Sequence, residues 1–353
     1  MTSDPRTFST RISSSGRTTI RQIADATGVH VSTVSRALGA NTAHLVAEDV
    51  ARRIRSVAEE LGYRRNAVAA GLRTGRSRLV GVLAPDIADP GFPPILSGIA
   101  EVLGESGYAA IVADVGGDSA RQGKMIDQLI AQGVDGLVLA TVARNDPAVA
   151  QCLRAGSPAV LVNRADDAAR LPCVLSDDSK GMRLAVEHLV GLGHRRIGHV
   201  AGPQEVSTGA ARRRGFEAAI ALAGRAAPPV ACASAYTRAE GRAAALKLMA
   251  LARRPTAIVA ANDLLALGVY DALATLGLEC PRDVSVVGHN DMPYVDMLAP
   301  PLTTVRIRQT DIGREAARIL IAVMSGGQSR KKRAILDCEL IVRASTAPPR
   351  SRN

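Results

Sequence analysis

The sequence has no tryptophan, and phenylalanine and tyrosine together supply only 2% of it. Any core must therefore be aliphatic, drawn from a composition that is 47% hydrophobic. Cysteine is scarce and odd in number: Cys152, Cys173, Cys232, Cys280 and Cys338, with no CxxC pair. That spacing excludes a zinc ribbon or finger and an evenly paired disulfide framework. The cysteines read as small buried hydrophobes in a reducing, cytoplasmic compartment. No run of about twenty apolar residues exists, which excludes a membrane-spanning helix. Residues 1–17 are polar, rich in Arg and Ser, and lack the apolar stretch of a secretory signal. They read as a disordered basic arm. Enzymatic signatures are missing as well: there is no GxxxxGK[ST] and no HExxH. "DVGGDS" carries glycines but not the GxGxxG spacing. His188, His194 and His199 lie close in sequence, yet no carboxylate pattern joins them, and they read as structural. No catalytic residue, metal site or cofactor is expected.

What is present is positive charge, unevenly spread. The whole chain carries a formal +11, and residues 1–78 hold thirteen arginines and no lysine against six acidic residues. A basic segment of that size points to a polyanionic partner, nucleic acid before membrane. An arginine-rich composition throughout the chain is the competing explanation.

Residues 18–64 read as three short helices. In "TTIRQIADATG", Ile20, Ile23 and Ala24 share a face, with Thr19 as N-cap and Gly28 as stop. A second stripe runs through Val34, Ala37 and Leu38. A third helix, from about Ala47 to Leu61, turns Val50, Ile54, Val57, Ala58 and Leu61 inward. Three helices with a tight turn between the first two make a helix-turn-helix domain. Residues 65–78 form a linker that is helical only with support. From residue 79 the rhythm becomes strand–helix. "LVGVLAPD", "AAIVADV", "DGLVLATV", "AVLVNR", "RIGHVAGP", "AIVAAN" and "VSVVGHN" read as buried strands of parallel sheets. Some 270 residues are too many for one such sheet, so two subdomains are expected. Ligands bind such sheets beyond the strand carboxyl ends. Asn163, Asn262, Asp263, Asn290 and Asp291 fall there, where capping of the next helix would also explain them.

"TTIRQIADATGVHVSTVSRAL", "ELGYRRNAVAAGLRTGRSRLVGVLAPD", "QGVDGLVLA", "LGHRRIGHVAGP", "STGAARRRGF", "RPTAIVAANDLLALGV" and "LIVRAST" occur in this order. Over residues 18–346 the chain resembles the LacI/GalR (lactose-repressor) family of transcriptional regulators. The resemblance implies an α/β fold: an N-terminal all-α helix-turn-helix domain (18–64), a hinge helix (65–78), and a two-subdomain core like the periplasmic binding proteins (79–346), with a tail at 347–353. Within that core it places the first subdomain at about 79–163 plus 292–324, and the second at 164–291 plus 325–346. It implies a repressor working as a homodimer on double-stranded operator DNA, controlled by a small-molecule effector, with no membrane partner. The alternative is a sugar-binding receptor without a DNA role.

By resemblance, Val31, Ser32 and Arg36 read base edges in the major groove. Thr19, Thr33 and Ser35 meet phosphates, and Asn66, Ala69 and Leu72 lie at the hinge, where Leu72 wedges into the minor groove. Phe92, Thr208, Arg212, Tyr236, Asn262 and Asn290 fall at effector-binding positions. Asn290 stands where relatives commonly carry Asp, so an anionic effector such as a sugar acid is expected, unless Asp291 supplies the missing charge. His30 replaces a usual capping Ser, so a lost helix cap is expected. Arg65 replaces a usual Pro, and the loop "GANTAHL" is longer than common.

Overall fold

A computed structural model of the chain describes residues 18–39, 42–63, 76–327 and 332–350. Two units make it up, Met1–Gly75 and Arg76–Asn353.

Among the described residues the first unit holds three α-helices: α1 (Ile20–Thr27), α2 (Val31–Ala37) and α3 (Glu48–Glu60). Thr19 starts α1 through a capping box. Its hydroxyl accepts the Gln22 N–H at 3.4 Å, and the Gln22 side-chain oxygen accepts the Thr19 N–H at 2.7 Å. Gly28 ends the helix at φ 66, a left-handed conformation that favours glycine. Arg53 on α3 donates to the Thr27 carbonyl at 2.9 Å and satisfies one of the free carbonyls there. Ile23, Ala24, Val34, Ala37, Ala51, Ile54 and Ala58 form the core. The inward face of α3 differs from the expected stripe. Ala51 is fully buried, whereas Leu61 is 42% exposed, because the helix stops at Glu60 and turns Leu61 outward as its C-cap. Residues 1–17, Ala40 and Asn41 of the long loop, and Arg65, Asn66, Ala69 and Leu72 of the expected hinge lie outside the described residues.

The second unit contains two six-stranded sheets. One holds β1 (Leu79–Ala84), β2 (Ala109–Asp114), β3 (Gly136–Leu139), β4 (Ala159–Val162) and β5 (Cys173–Ser176). Between them run α4 (Pro93–Glu105), α5 (Ser119–Ala131) and α6 (Pro147–Arg154). The other sheet is built from β6 (Ile197–Ala201), β7 (Val230–Cys232), β8 (Ala257–Ala260), β9 (Ser285–Asn290) and β10 (Thr303–Ile307). Its helices are α7 (Asp178–Gly191), α8 (Ser207–Leu222), α9 (Arg238–Met249) and α10 (Asp263–Thr275). The chain then returns through α11 (Gln309–Met324), β11 (Arg333–Leu336) and β12 (Cys338–Ile341). The strand orders are β11-β5-β4-β3-β1-β2 and β12-β10-β9-β8-β6-β7. All pairings are parallel except β10 with β12. Parallel strands buried on both faces explain the unbroken apolar runs in the sequence. "AAIVADV" departs from that reading: β2 is an edge strand and Val112 is 39% exposed.

The lobes are divided differently from the expected limits. The chain crosses between them after β5, after β10 and between β11 and β12. Residues 173–176 and β11 therefore belong to the first lobe, and β10 belongs to the second. A short apolar run has the period of a strand but carries no mark of which sheet it joins. Residues 347–350 are no loose tail. The Ala347 carbonyl is held by His194 at 2.9 Å and by the Ser285 hydroxyl at 3.0 Å, and Arg350 pairs with Asp283.

In the first lobe α4 and α11 cross at glycines. A Cβ on Gly98 would lie 2.1 Å from the Thr310 carbonyl oxygen, and one on Gly313 2.0 Å from that of Ile95. The crossing brings Gln309, the first residue of α11, beside Gly91, so it shapes the cleft described below.

Candidate functional sites: an exposed helix and a polar cleft

Helix α2 turns Val34 and Ala37 into the core and leaves Val31, Ser32 and Arg36 exposed. Residues in a helix advance by about 100°, so positions 31, 32, 35 and 36 fall on one arc opposite 34 and 37. Val31 is 40% exposed, an apolar residue held toward solvent beside a guanidinium and a hydroxyl. Thr33 and Ser35 are half-buried, Ser35 within that arc and Thr33 just beyond its edge. Thr19 is exposed at the start of α1, with its hydroxyl engaged in the capping box.

The expected loss of a cap on α2 does not occur. His30 takes the N-cap position in extended conformation, and its Nδ1 accepts the Ser32 N–H at 3.2 Å. The same nitrogen lies 2.8 Å from the Ser32 Oγ. An imidazole nitrogen with a free lone pair does what a serine oxygen would do. It also fixes the Ser32 side chain at the outward end of the helix.

In the second unit one cleft gathers Phe92, Thr208, Arg212, Tyr236, Asn262 and Asn290, all six residues expected to hold an effector. They come from the N-caps of α4 and α10, from α8 and β9, and from the segment before α9. Asn262 accepts the Leu265 N–H at 2.9 Å and caps α10, so capping and cleft lining coexist in one side chain. Asn290 ends β9 at φ 111 with its Oδ1 buried and unpartnered. The Tyr236 hydroxyl donates to the Thr208 Oγ at 3.1 Å, which fixes the phenol ring.

Arg212 is fully buried, and its fork is partly engaged. Nε donates to Asp178 Oδ1 at 2.8 Å, and one terminal nitrogen donates to the Ala261 carbonyl at 2.6 Å. Burial strongly raises the Asp178 pKa, but Arg212 and His289 outweigh it and hold the carboxyl below its ordinary range. His289 stands 3.4 Å from the same oxygen. Burial, aided by Arg212, pushes its pKa down to about 4, so it is neutral near pH 7 and the ion pair is Arg212 with Asp178.

Asp291 does not replace the charge missing at Asn290. It points away from the cleft into ion pairs with Arg306 at 2.7 Å and Arg343 at 2.8 Å. Asp263, beside Asn262, is buried behind the wall, accepting from the Thr304 hydroxyl and the Met292 N–H. Burial pushes its pKa up to about 7.

The cleft also contains Asn163, one of the residues expected at a strand end, and two residues not expected there, Asp89 and Arg164. Asn163 and Arg164 follow β4, and Asn163 adopts φ 61. The "VNR" ending of that strand was the available signal. The enclosed space is about 50 Å³, and it continues into an outer chamber of about 540 Å³ that shares Pro85, Asp89, Arg164 and Tyr236.

The histidines are structural. His199 stacks on Phe216 at 4.6 Å, His194 bonds Thr256 and Ser285, and His188 bonds Thr346. All five cysteines are free; Cys152, Cys173 and Cys338 are buried, whereas Cys232 is exposed and Cys280 half-buried. Among the described residues no His, Cys, Asp and Glu group could hold a metal ion, and no helix is long and apolar enough to cross a membrane.

Comparison with known proteins gives a consistent answer. The pattern of "bacterial regulatory proteins, lacI family" matches residues 19–66, and that of a "periplasmic binding protein-like domain" matches residues 186–346. The chain is 31% identical over 329 residues to the HTH-type transcriptional repressor CytR of Escherichia coli (strain K12), covering 93% of this chain and 96% of that protein. It is 34% identical over 340 residues to the HTH-type transcriptional regulator MalR of Streptomyces coelicolor, covering 94% and 97%. Its fold matches the lac repressor dimer bound to operator and the anti-inducer ONPF with a TM-score of 0.84, at 26% identity over 94% of this chain and 100% of that one. These relatives are transcriptional regulators, not enzymes.

Proposed function

The chain belongs to the lacI family of bacterial regulatory proteins, and from that premise we propose that it represses transcription in the cytoplasm as a homodimer on a near-palindromic operator. It catalyses no reaction. Val31, Ser32 and Arg36 read bases: Arg36 forks onto guanine O6 and N7, Ser32 accepts or donates to several bases, and Val31 packs on a thymine methyl. Thr33 and Ser35 hold phosphates, and so does Thr19 at the start of α1, which its hydroxyl caps. The hinge residues Asn66, Ala69 and Leu72 complete the DNA contacts by resemblance, Leu72 as the minor-groove wedge.

The effector enters the cleft between the lobes, against Phe92 and Tyr236, with Thr208, Arg212, Asn262 and Asn290 as polar partners. A ligand that favours one lobe arrangement shifts the balance between operator-binding and free states only by its difference in affinity for the two.

One observation carries the reading: α2 exposes an apolar, a hydroxyl and a guanidinium group on a single arc, held by a cap at its start. A plain ligand receptor has no use for such a helix. The test is an electrophoretic mobility shift on DNA upstream of the protein's own gene, with excess unrelated competitor. A retarded band that resists the competitor supports repression. A protein that shifts all DNA equally, and loses it all at moderate salt, refutes it.

A further inference from the structure

Arg164 is the cleft arginine that no carboxylate pairs with directly, among the described residues. It lines both the inner space and the outer chamber. Its hydrogen bond goes to the Thr141 carbonyl at 3.1 Å, a neutral acceptor. Among the described residues it forms no ion pair, although the nearby Arg144 and Arg170 pair with Asp167 and Asp166. Burial pulls its pKa down, and Tyr236, Asp89, Glu205 and Asp146 nearby offset that only in part. The other cleft arginine is already matched by Asp178.

Three further observations sit around Arg164. Thr141, whose carbonyl it bonds, carries a buried hydroxyl with no partner, and that residue also lines the outer chamber. Asn290 Oδ1, across the inner space, is buried and unpartnered too. Asp89 lines both spaces, takes the Gly91 N–H at 2.8 Å on one oxygen, and keeps acceptor capacity for a ligand donor.

Building on the proposed effector role of the cleft, we propose that the effector is a hydroxylated carboxylate whose carboxyl group sits on Arg164 and the Thr141 hydroxyl. Its hydroxyls donate to Asp89 and Asn290. A guanidinium and an unpartnered hydroxyl on neighbouring residues of one chamber can hold a carboxylate by charge-assisted bonds. Asp86, Asp114 and Glu205 also line the outer chamber. Their charge opposes a dianion, so a carboxylate fits this place better than a phosphate ester.

The test uses the full chain and titration calorimetry with matched probes: glucuronate, galacturonate and gluconate, each beside glucose or galactose, and glucose 6-phosphate. Operator binding is measured on the same samples, so a failed DNA function and a failed ligand class are told apart. At least one acid should bind tenfold or more tighter than its neutral parent. Arg164→Gln should erase that preference, and Thr141→Val should reduce it, with operator binding in the absence of ligand unchanged. In parallel, acetate against chloride at equal ionic strength should raise the melting temperature of the parent and not of Arg164→Gln. Tighter binding of glucose 6-phosphate than of every acid overturns the choice of carboxylate. Equal binding of acids and neutral sugars, persistence of the preference in Arg164→Gln, or no response to any acid and to acetate overturns the proposal.

Discussion

Asp178→Asn isolates the ion pair at the base of the cleft. Arg212 and Asp178 are 3% and 12% exposed in their side chains and meet at 2.8 Å. At an effective dielectric constant of about 20 their attraction is on the order of 6 kcal/mol, which desolvation of both groups partly cancels. Removing one partner leaves Arg212 charged and buried, a loss of about 3–5 kcal/mol. Asparagine keeps an acceptor for Nε, so the lower end, about 3 kcal/mol, is expected. With a urea slope of about 3 kcal/mol per molar for a unit of this size, the midpoint should fall by about 1 M. The assay is equilibrium urea unfolding of the full chain, following the transition of the larger unit. Asp178 has a folded pKa below its unfolded value, so its stabilisation is present above about pH 4 and fades as pH falls through the folded pKa. The gap between parent and variant should therefore close in acid. Replacing both partners, Asp178→Leu with Arg212→Met, should recover much of the loss, because no charge is left unpaired. An unchanged midpoint in Asp178→Asn, or a double variant no better than the single, would refute the reasoning.

Gly98→Ala should cost about 1–3 kcal/mol, since its methyl meets the Thr310 carbonyl at 2.1 Å. Gly104→Ala on the same helix meets nothing within 4 Å and should stabilise by up to about 1 kcal/mol, a contrast readable in parallel melts. His30→Ala removes the acceptor of the Ser32 N–H and should cost the smaller unit about 1 kcal/mol, measured as its thermal midpoint. Arg36→Ala should weaken operator binding by about 1–3 kcal/mol and relax the choice at one base position, visible when selected sites are sequenced.

Much of the smaller unit was legible in the sequence because its signals are local. Thr19 and Gly28 bracket α1 within ten residues, and the spacing of Val34 and Ala37 sets the buried face of α2. The cap at His30 was misread because histidine is an uncommon cap; what matters there is a free lone pair within reach of Ser32 N–H. In the larger unit the strands were readable one by one, whereas their division between sheets was not, since β5 and β10 look alike as apolar runs. The cleft was read in part. Asn262 and Asn290 stand at strand ends, where ligands bind. Asp178 was missed because its partner Arg212 is 34 residues away and only the packing of α7 on α8 joins them. Arg164 was missed because nothing in a sequence distinguishes an arginine that forms no ion pair from its paired neighbours.

The account stands most directly on a linked titration: the dissociation constant of the full chain for its selected symmetric operator, by fluorescence anisotropy at fixed salt, without ligand and at saturation with a small molecule that binds the cleft. It predicts a strong preference for the symmetric site over a scrambled one, and a change of roughly 5–150-fold on adding the ligand. Equal affinity for both DNA sequences, or an operator affinity that ignores a saturated cleft, would contradict it.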